Sequence, residues 1–548
     1  MQRTAKILRF PKPLTSAPTR LWWERLPVIA GLIFVSILLL HIPLLRLPYF
    51  WDEAGYYIPA GRDIWQHFQF IPTSTLTNAH PPLVMAWLAA AWKIFGYHAA
   101  VTRVAMLLVA TFTLTGVFHL ARQVANSTVA LASVVVTAIF PVFFAQSTMA
   151  HLDMAAAGFT LWGLAAYVRD RYPATAFWFA LAGLAKETAI LAPLALCAWE
   201  LLGIATRESR WSKLFLFRSS LIRAAWLLVG VCPLAIWFAY HHHETGVIFG
   251  NPEFVRYNVA TTLHPVRFLA ALAQRLWQAF GYMNMFVLTI ATLLAMTRRP
   301  ISLESPERNG GGSFTTERQR ITIPKQMVFL VVLLSYLVAL SVVGGAVLAR
   351  YLLPVYPLVV IVFVSTLWRR LPWWPAFVGV VCLAFALGLV INPPYQFAPE
   401  DNLNYADFVR LHQQAAQYLE QHPPAGRVLT AWPGSDELTK PYLGYVKKPI
   451  QIVAIENFSM TQIMAAREAA NTYDAAFLFS TKYEPHGLLI RLPFWETLQK
   501  RYFGYHVDLP PQVTAEMLQG HVVFHRSQGG QWVAVLTMDR AFNARLRR

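Results

Sequence analysis

Five short stretches of this chain carry ionisable side chains suited to acid–base work or to binding an anion. In Phe50-Trp51-Asp52-Glu53 two adjacent carboxylates sit among aromatics. Partial desolvation raises a carboxylate's proton affinity, the condition for a general base; the alternative is a solvated acidic turn in an interfacial aromatic belt. Asn78-Ala79-His80-Pro81-Pro82 places a histidine just before a helix start, where the dipole favours an anion. Met149-Ala150-His151-Leu152-Asp153-Met154 offers a second carboxylate, which could instead only cap the helix beginning at Met154. Lys186-Glu187 interrupts a long apolar run, and Arg350 opens Arg350-Tyr351-Leu352-Leu353-Pro354. A lysine serves phosphate oxygens as a point charge and an arginine as a planar fork, with snorkelling or an internal salt bridge as the plainer use of each. The run His241-His242-His243-Glu244 is a weak metal candidate, because consecutive histidines point in different directions. Arg256 lies in the same loop.

The elements that must hold these residues are membrane helices. The 548 residues are 56% hydrophobic and only 14% charged, too apolar for a soluble protein of this size. The segment to Arg25 holds six Lys/Arg against one acid and precedes an apolar run, Pro27–Leu47, read as a retained span with the N-terminus cytoplasmic. Further apolar runs near 100–121, 128–147, 153–168, 224–240, 271–296, 326–348, 352–368 and 374–391 read as spans. Leu83–Phe95 is too short to span and is placed along the outer face; Tyr172–Ile204 is too long for one helix and divides into two meeting near Lys186. The expectation is a polytopic α-helical membrane protein of about 11 spans, with every candidate residue above at its outer side. The net charge of +18 concentrates in loops assigned to the cytoplasm, so it records orientation and attraction to anionic lipid and excludes nucleic acid as the partner. Cys197, Cys232 and Cys382 are far apart in apolar runs and read as packing residues.

The expected organisation is a basic cytoplasmic N-terminus (1–26), a transmembrane catalytic domain (27–391) with a first outer loop (48–99), a flexible cytoplasmic loop (297–325), and an extracytoplasmic domain (392–548). In the last, β-rich runs at 427–432, 449–455 and 474–480 alternate with helical patterns, predicting a small α/β domain. The runs at 521–526 and 531–538 read as an added hairpin, and no glycine-rich phosphate loop follows any strand.

In order, Trp51-Asp52-Glu53-Ala54-Gly55-Tyr56-Tyr57, His80-Pro81-Pro82-Leu83, His151-Leu152-Asp153-Met154, Gly183-Leu184-Ala185-Lys186-Glu187 and the Arg350 motif resemble the membrane glycosyltransferases of the GT-C fold. The resemblance is nearest to families 39 and 83, relatives of protein O-mannosyltransferases and aminoarabinose transferases, over roughly residues 25–390. It implies a polyisoprenyl-phosphate sugar as donor, undecaprenyl phosphate in a bacterium, and an acceptor glycan, lipid or protein on the outer side of the inner membrane. It implies Asp52 as base, with Glu53 beside it, in an inverting displacement. It implies Asp153 orienting a substrate or sharing a divalent ion with Asp52, and Lys186, Arg350 and His80 at the donor phosphate. His151, Glu187 and Arg256 would be further outer-loop contacts. His80 stands where aminoarabinose transferases have Lys and O-mannosyltransferases have His, which speaks against the aminoarabinose reaction; Ala185 stands where Thr is usual in the family. Two rivals are a transporter or lipid flippase, which would show an inverted repeat and broken midplane helices, and an O-antigen ligase-like transferase with a late arginine-rich outer loop.

Overall fold

The computed structural model describes residues 25–205, 210–250, 262–306, 313–343, 345–483 and 493–539. Most of the 1–26 segment and Arg256 therefore lie outside the described residues. The fold is a helical bundle crowned by a small mixed sheet. Helix Leu26–His41 shows how the sequence builds it. Ile29, Ile33, Ile37 and His41 recur every fourth residue and are buried against the bundle, while Leu32, Leu39 and Leu40 point outward. Pro27 sits in the first turn, where its missing N–H costs nothing, and a short turn Ile42–Leu44 ends the rod.

Among the described residues, five helical segments are long and apolar enough to cross a membrane: Leu26–Leu44, Ala99–Val124, Arg218–Thr245, Pro265–Met296 and Ile323–Val342. Shorter apolar helices, among them Ser127–Ile139 and Trp374–Val390, pack between them. Leu83–Phe95 is a 13-residue helix fastened to Ala99–Val124, where Trp87 Nε1 donates to the carbonyl of Ala105 at 3.1 Å. The run from Tyr172 divides at Lys186 into helices Tyr172–Ala185 and Leu191–Ala205, joined by a turn Glu187–Ile190. Lys186 is extended there (φ −155°, ψ 133°), which stops the first helix. Residues 297–325, expected to be a flexible loop, carry an antiparallel ribbon instead, β1 (Ser302–Pro306) with β2 (Ser313–Glu317).

The C-terminal sheet runs in the order β4 (Ile452–Ile455), β3 (Val428–Ala431), β5 (Ala475–Phe479), β7 (Gln531–Met538), β6 (Gly520–Gln528). β3 is parallel to both β4 and β5, and the β6–β7 hairpin adds antiparallel to β5 through β7. β3 and β5 are buried along their whole length, as expected of strands covered on both faces. This sheet is not an isolated module. One hydrophobic core runs from Leu44–Ile64 and Val84–Trp92 of the first loop into Tyr405, Phe408, Val428 and Phe479 of the C-terminal region. Tyr445 Oη donates to the carbonyl of Tyr49 and Tyr97 Oη to that of Tyr442, each at 2.9 Å. Gly55 is required at this seam, because a Cβ there would lie 2.7 Å from the Trp432 ring.

Candidate active site

The two acids that follow the first helix part company. Trp51 is left-handed (φ 42°), a conformation strained for a bulky residue. Its ring is held by Phe408 and Trp432, with centroids 5.6 and 5.2 Å away. A π-helical turn Glu53–Tyr57 follows. This backbone sends Glu53 into the core, where it is fully buried, and leaves Asp52 with a third of its side chain exposed. Glu53 accepts from the backbone N–H of Phe50 (2.8 Å) and of Ala150 (2.6 Å), and from Arg103 Nη2 (3.0 Å). With Arg103 also donating to the carbonyl of Pro48 at 2.7 Å, Glu53 is committed to fastening the first loop to its neighbours. Its expected place in the catalytic set is corrected: adjacency in sequence turned it to the opposite side from Asp52.

Asp52 meets Arg350 instead. Arg350, 2% exposed, donates from Nη2 to Asp52 Oδ2 and from Nη1 to Glu400 Oε2 (2.7 Å), and its Nε lies 3.6 Å from Asp153 Oδ2. Lys186 Nζ donates to Asp153 Oδ1 at 2.6 Å and sits 4.0 Å from the centre of the Tyr351 ring. Asp153 is the first residue of helix Asp153–Tyr167 and makes no capping bond, so the capping alternative is not realised. Asp52, Asp153, Lys186 and Arg350 thus form one ion network, drawn from four separate stretches. His151 is buried beside it. Its Nδ1 donates to Gln146 Oε1 at 2.7 Å, and Nε2 faces Arg350 Nη1 at 3.2 Å. Burial, then the charges of Arg350 and Lys186, push the imidazole well below its ordinary range, so it stays neutral and orients the guanidinium.

The remaining candidates stand apart. His80 Nδ1 donates to Glu187 Oε2 at 3.0 Å, so this histidine spends a ring nitrogen on a carboxylate where a phosphate oxygen was expected. Burial opposes ionisation of Glu187, but His80 and Lys186 overcome it and hold the carboxyl at about 2. His241 is buried with its Nε2 near Thr77 Oγ1 and its Nδ1 donating to Val247 O, both at 2.8 Å, whereas His242, His243 and Glu244 are exposed. The run is corrected from metal candidate to helix end. Among the described residues no three His, Cys, Asp or Glu side chains converge as a ligand shell would. Asp52 and Asp153 both turn to cations, so the residues present do not fit a divalent ion.

Two groups escaped the sequence reading. Glu400 and Asp401 stand on the turn Pro399–Asp401 just after the last membrane helix, where nothing marks them among the acids of a soluble domain. Burial, opposed by Arg350, pushes the Glu400 carboxyl up to about 8; burial likewise lifts Asp401 to about 7, although Tyr282 Oη donates to it at 2.6 Å. The second is Arg275, fully buried on helix Pro265–Phe280. Its Nη1 donates to Gln278 Oε1 (2.9 Å) and to Leu348 O (2.6 Å), while Nε and Nη2 have no hydrogen-bond partner among the described residues. Its guanidinium lies 5.6 Å from the centre of the Tyr351 ring, on which Lys186 also rests. The signal was available: an arginine inside an expected span, 271–296, is costly and functional by default.

A pH dependence follows from Glu400. Between its ordinary value of 4.5 and about 8 the folded chain keeps a proton that the unfolded chain has lost. That stabilising contribution is complete below 4.5 and is lost as pH rises through 8. The melting temperature of the full chain in detergent should therefore fall from pH ~5 to ~8.5, and Glu400→Gln should flatten the fall. An unchanged slope would remove Glu400 as its source.

Residues 79–237 match the model of the dolichyl-phosphate-mannose-protein mannosyltransferase family, a stretch that includes His80, His151, Asp153 and Lys186. ArnT from Cupriavidus metallidurans bound to undecaprenyl phosphate is similar over 92% of this chain and 97% of its own, with a TM-score of 0.52 at 13% identity. The chain has the GT-C fold. The apo state of the same ArnT gives a TM-score of 0.50, at 13% identity over 92% of this chain and 97% of its own. The oligosaccharyltransferase of Archaeoglobus fulgidus, in complex with Zn and sulfate, gives 0.46 at 13% identity over 93% of this chain and 72% of its own. No curated protein sequence matches significantly. Within this GT-C chain the family match ends before Arg275, Arg350 and Glu400, which the tertiary structure alone joins to it.

Proposed function

We propose that this protein is a glycosyltransferase of the membrane, moving a sugar from a polyisoprenyl-phosphate donor such as undecaprenyl phosphate to an acceptor hydroxyl or amine on the outer, periplasmic side. The observation that carries the reading is the convergence of Asp52, Asp153, Lys186 and Arg350 in one network beside the open nitrogens of Arg275. The family match, and a fold shared with a protein that binds undecaprenyl phosphate, support it.

Charge decides where the phosphate goes. With Glu400 protonated below about 8, the cations Arg275, Arg350 and Lys186 face two carboxylates, Asp52 and Asp153. Arg275 Nε and Nη2 have no hydrogen-bond partner among the described residues, two donors open to the oxygens of a sugar phosphodiester. Arg350 is largely spoken for by acids, so Arg275, with Lys186 across the Tyr351 ring, is the phosphate arm. The acceptor oxygen attacks the anomeric carbon as the bond to the phosphate oxygen breaks, inverting that centre, and the acceptor's proton passes to Asp52. Asp52 Oδ2 is engaged by Arg350, while Oδ1 has no partner among the described residues. The leaving phosphate becomes a dianion; a preformed cation at its oxygens lowers the barrier most, and needs no proton donor.

Lys186→Ala and Arg275→Gln should each weaken binding of undecaprenyl phosphate to the purified chain at least about tenfold, the cost of one charge-assisted hydrogen bond. Unchanged affinity in both would take the phosphate away from this site. Mass spectrometry of envelope glycolipids and glycoproteins from a deletion strain tests the reading as a whole: one sugar-bearing species should disappear, and an unaltered envelope would refute it.

A further inference from the structure

A second polar pocket lies at the seam between the bundle and the C-terminal region. Helices Leu26–His41 and Trp374–Val390 both end there, and helix Asn404–Gln421 passes over them, enclosing a cavity of about 280 Å³. One wall is apolar and continues onto the outer surface of the bundle: Leu40 and Val390 are 57% and 68% exposed. The other presents Asn404, Asp407 and Arg410, successive residues on one face of the overlying helix. Asn404 is 3% exposed, yet neither its Oδ1 nor its Nδ2 has a hydrogen-bond partner among the described residues. Buried amides are satisfied almost without exception, so this one points to a ligand. Asp407 Oδ1 accepts from Gln528 Nε2 at 2.7 Å, and Arg410 reaches the same oxygen only at 3.4 Å. The floor is Gly529, left-handed (φ 58°); a Cβ there would stand 2.4 Å from Asn404 Oδ1 and 2.9 Å from Asp407 Oδ2, closing the polar wall.

We infer that this cavity binds the headgroup of a bilayer phospholipid bearing both a primary amine and a phosphate, the phosphoethanolamine type. The ammonium meets Asp407, the phosphate meets Arg410, the Asn404 amide serves the phosphate and ester oxygens, and the acyl chains run down Leu40 and Val390. A purely anionic headgroup would confront Asp407 without compensation. The space holds about nine waters' worth of liquid volume at ~30 Å³ each, ample for such a headgroup and too little for a glycan. The pocket also connects to the reacting network. The Asn404 N–H donates to Asn402 Oδ1 at 2.9 Å, so the start of this helix is tied to the residue that follows the turn carrying Glu400. A lipid seated on Asn404 thereby steadies Glu400 against Arg350 without touching either substrate.

The test is native mass spectrometry of the full chain released from nanodiscs of equal phosphatidylethanolamine and phosphatidylglycerol content. Wild type and Asp52→Asn should retain one phosphatidylethanolamine in preference to phosphatidylglycerol, and Arg410→Gln, an exposed position, and Asp407→Asn should retain at least tenfold less. Equal retention of the two lipids, or variants that hold lipid as wild type does, would overturn the inference. So would displacement by soluble glycerophosphoethanolamine at matched concentration, which would make the site a reader of free headgroup.

Discussion

Asp52→Asn should slow sugar transfer by about 10²–10⁴-fold, the usual contribution of a positioned general base, while the protein folds and still binds undecaprenyl phosphate. The substitution keeps shape and removes the proton acceptor. Folding should survive because Asp52 is one-third exposed and because Arg350 retains Glu400 and Asp153 as partners. The neighbouring change separates chemistry from architecture. Glu53→Gln leaves Arg103 buried against a neutral group, so it should lower yield and melting temperature, with turnover per folded molecule changing little. Transfer assayed with saturating donor, alongside melting curves for both variants, decides the matter. An Asp52→Asn enzyme running above a tenth of the wild-type rate would remove Asp52 as the base.

Arg350→Ala should be the most damaging single change in the chain, abolishing transfer and destabilising the fold by about 3–5 kcal/mol, the cost of leaving buried charge without its partner. Asp52, Asp153 and Glu400 all lean on this one guanidinium, and two of them are buried. Arg350→Lys should restore part of the stability and little of the activity, because an ammonium cannot reach three carboxylates from one planar fork. Adding Glu400→Gln to Arg350→Ala should change stability little below pH ~8, because Glu400 already carries a proton there, and should regain no transfer. Thermal melting in detergent reads the first effect and product formation the second. A single Arg350→Ala variant that melts with wild type would show that the network carries no stability.

The helical bundle, the short helix Leu83–Phe95, the division at Lys186 and the strands of the C-terminal sheet were all legible along the chain. Each is set by the length or period of a local apolar run, and lipid punishes exposed backbone whatever the rest of the fold does. Asp52, Asp153, Lys186 and Arg350 were legible for a related reason: charge beside a span is expensive and so draws notice. Glu53 misled because neighbouring residues share a sequence position and not a direction; the left-handed Trp51 and the turn after it point the two acids apart.

What the sequence determined by itself was therefore the class of protein and the short roster of charges that such a protein retains at its membrane edge. Only the tertiary structure decided which of those charges neutralise one another. Arg350 and Asp52 are 298 residues apart, and Glu400 reaches Arg350 from beyond the last membrane helix. Ion pairing at such separation depends on how helices and sheet pack, which no local pattern records. That packing left two nitrogens of Arg275 without a partner among the described residues, committed Glu53 to Arg103, and brought a C-terminal acid to Arg350.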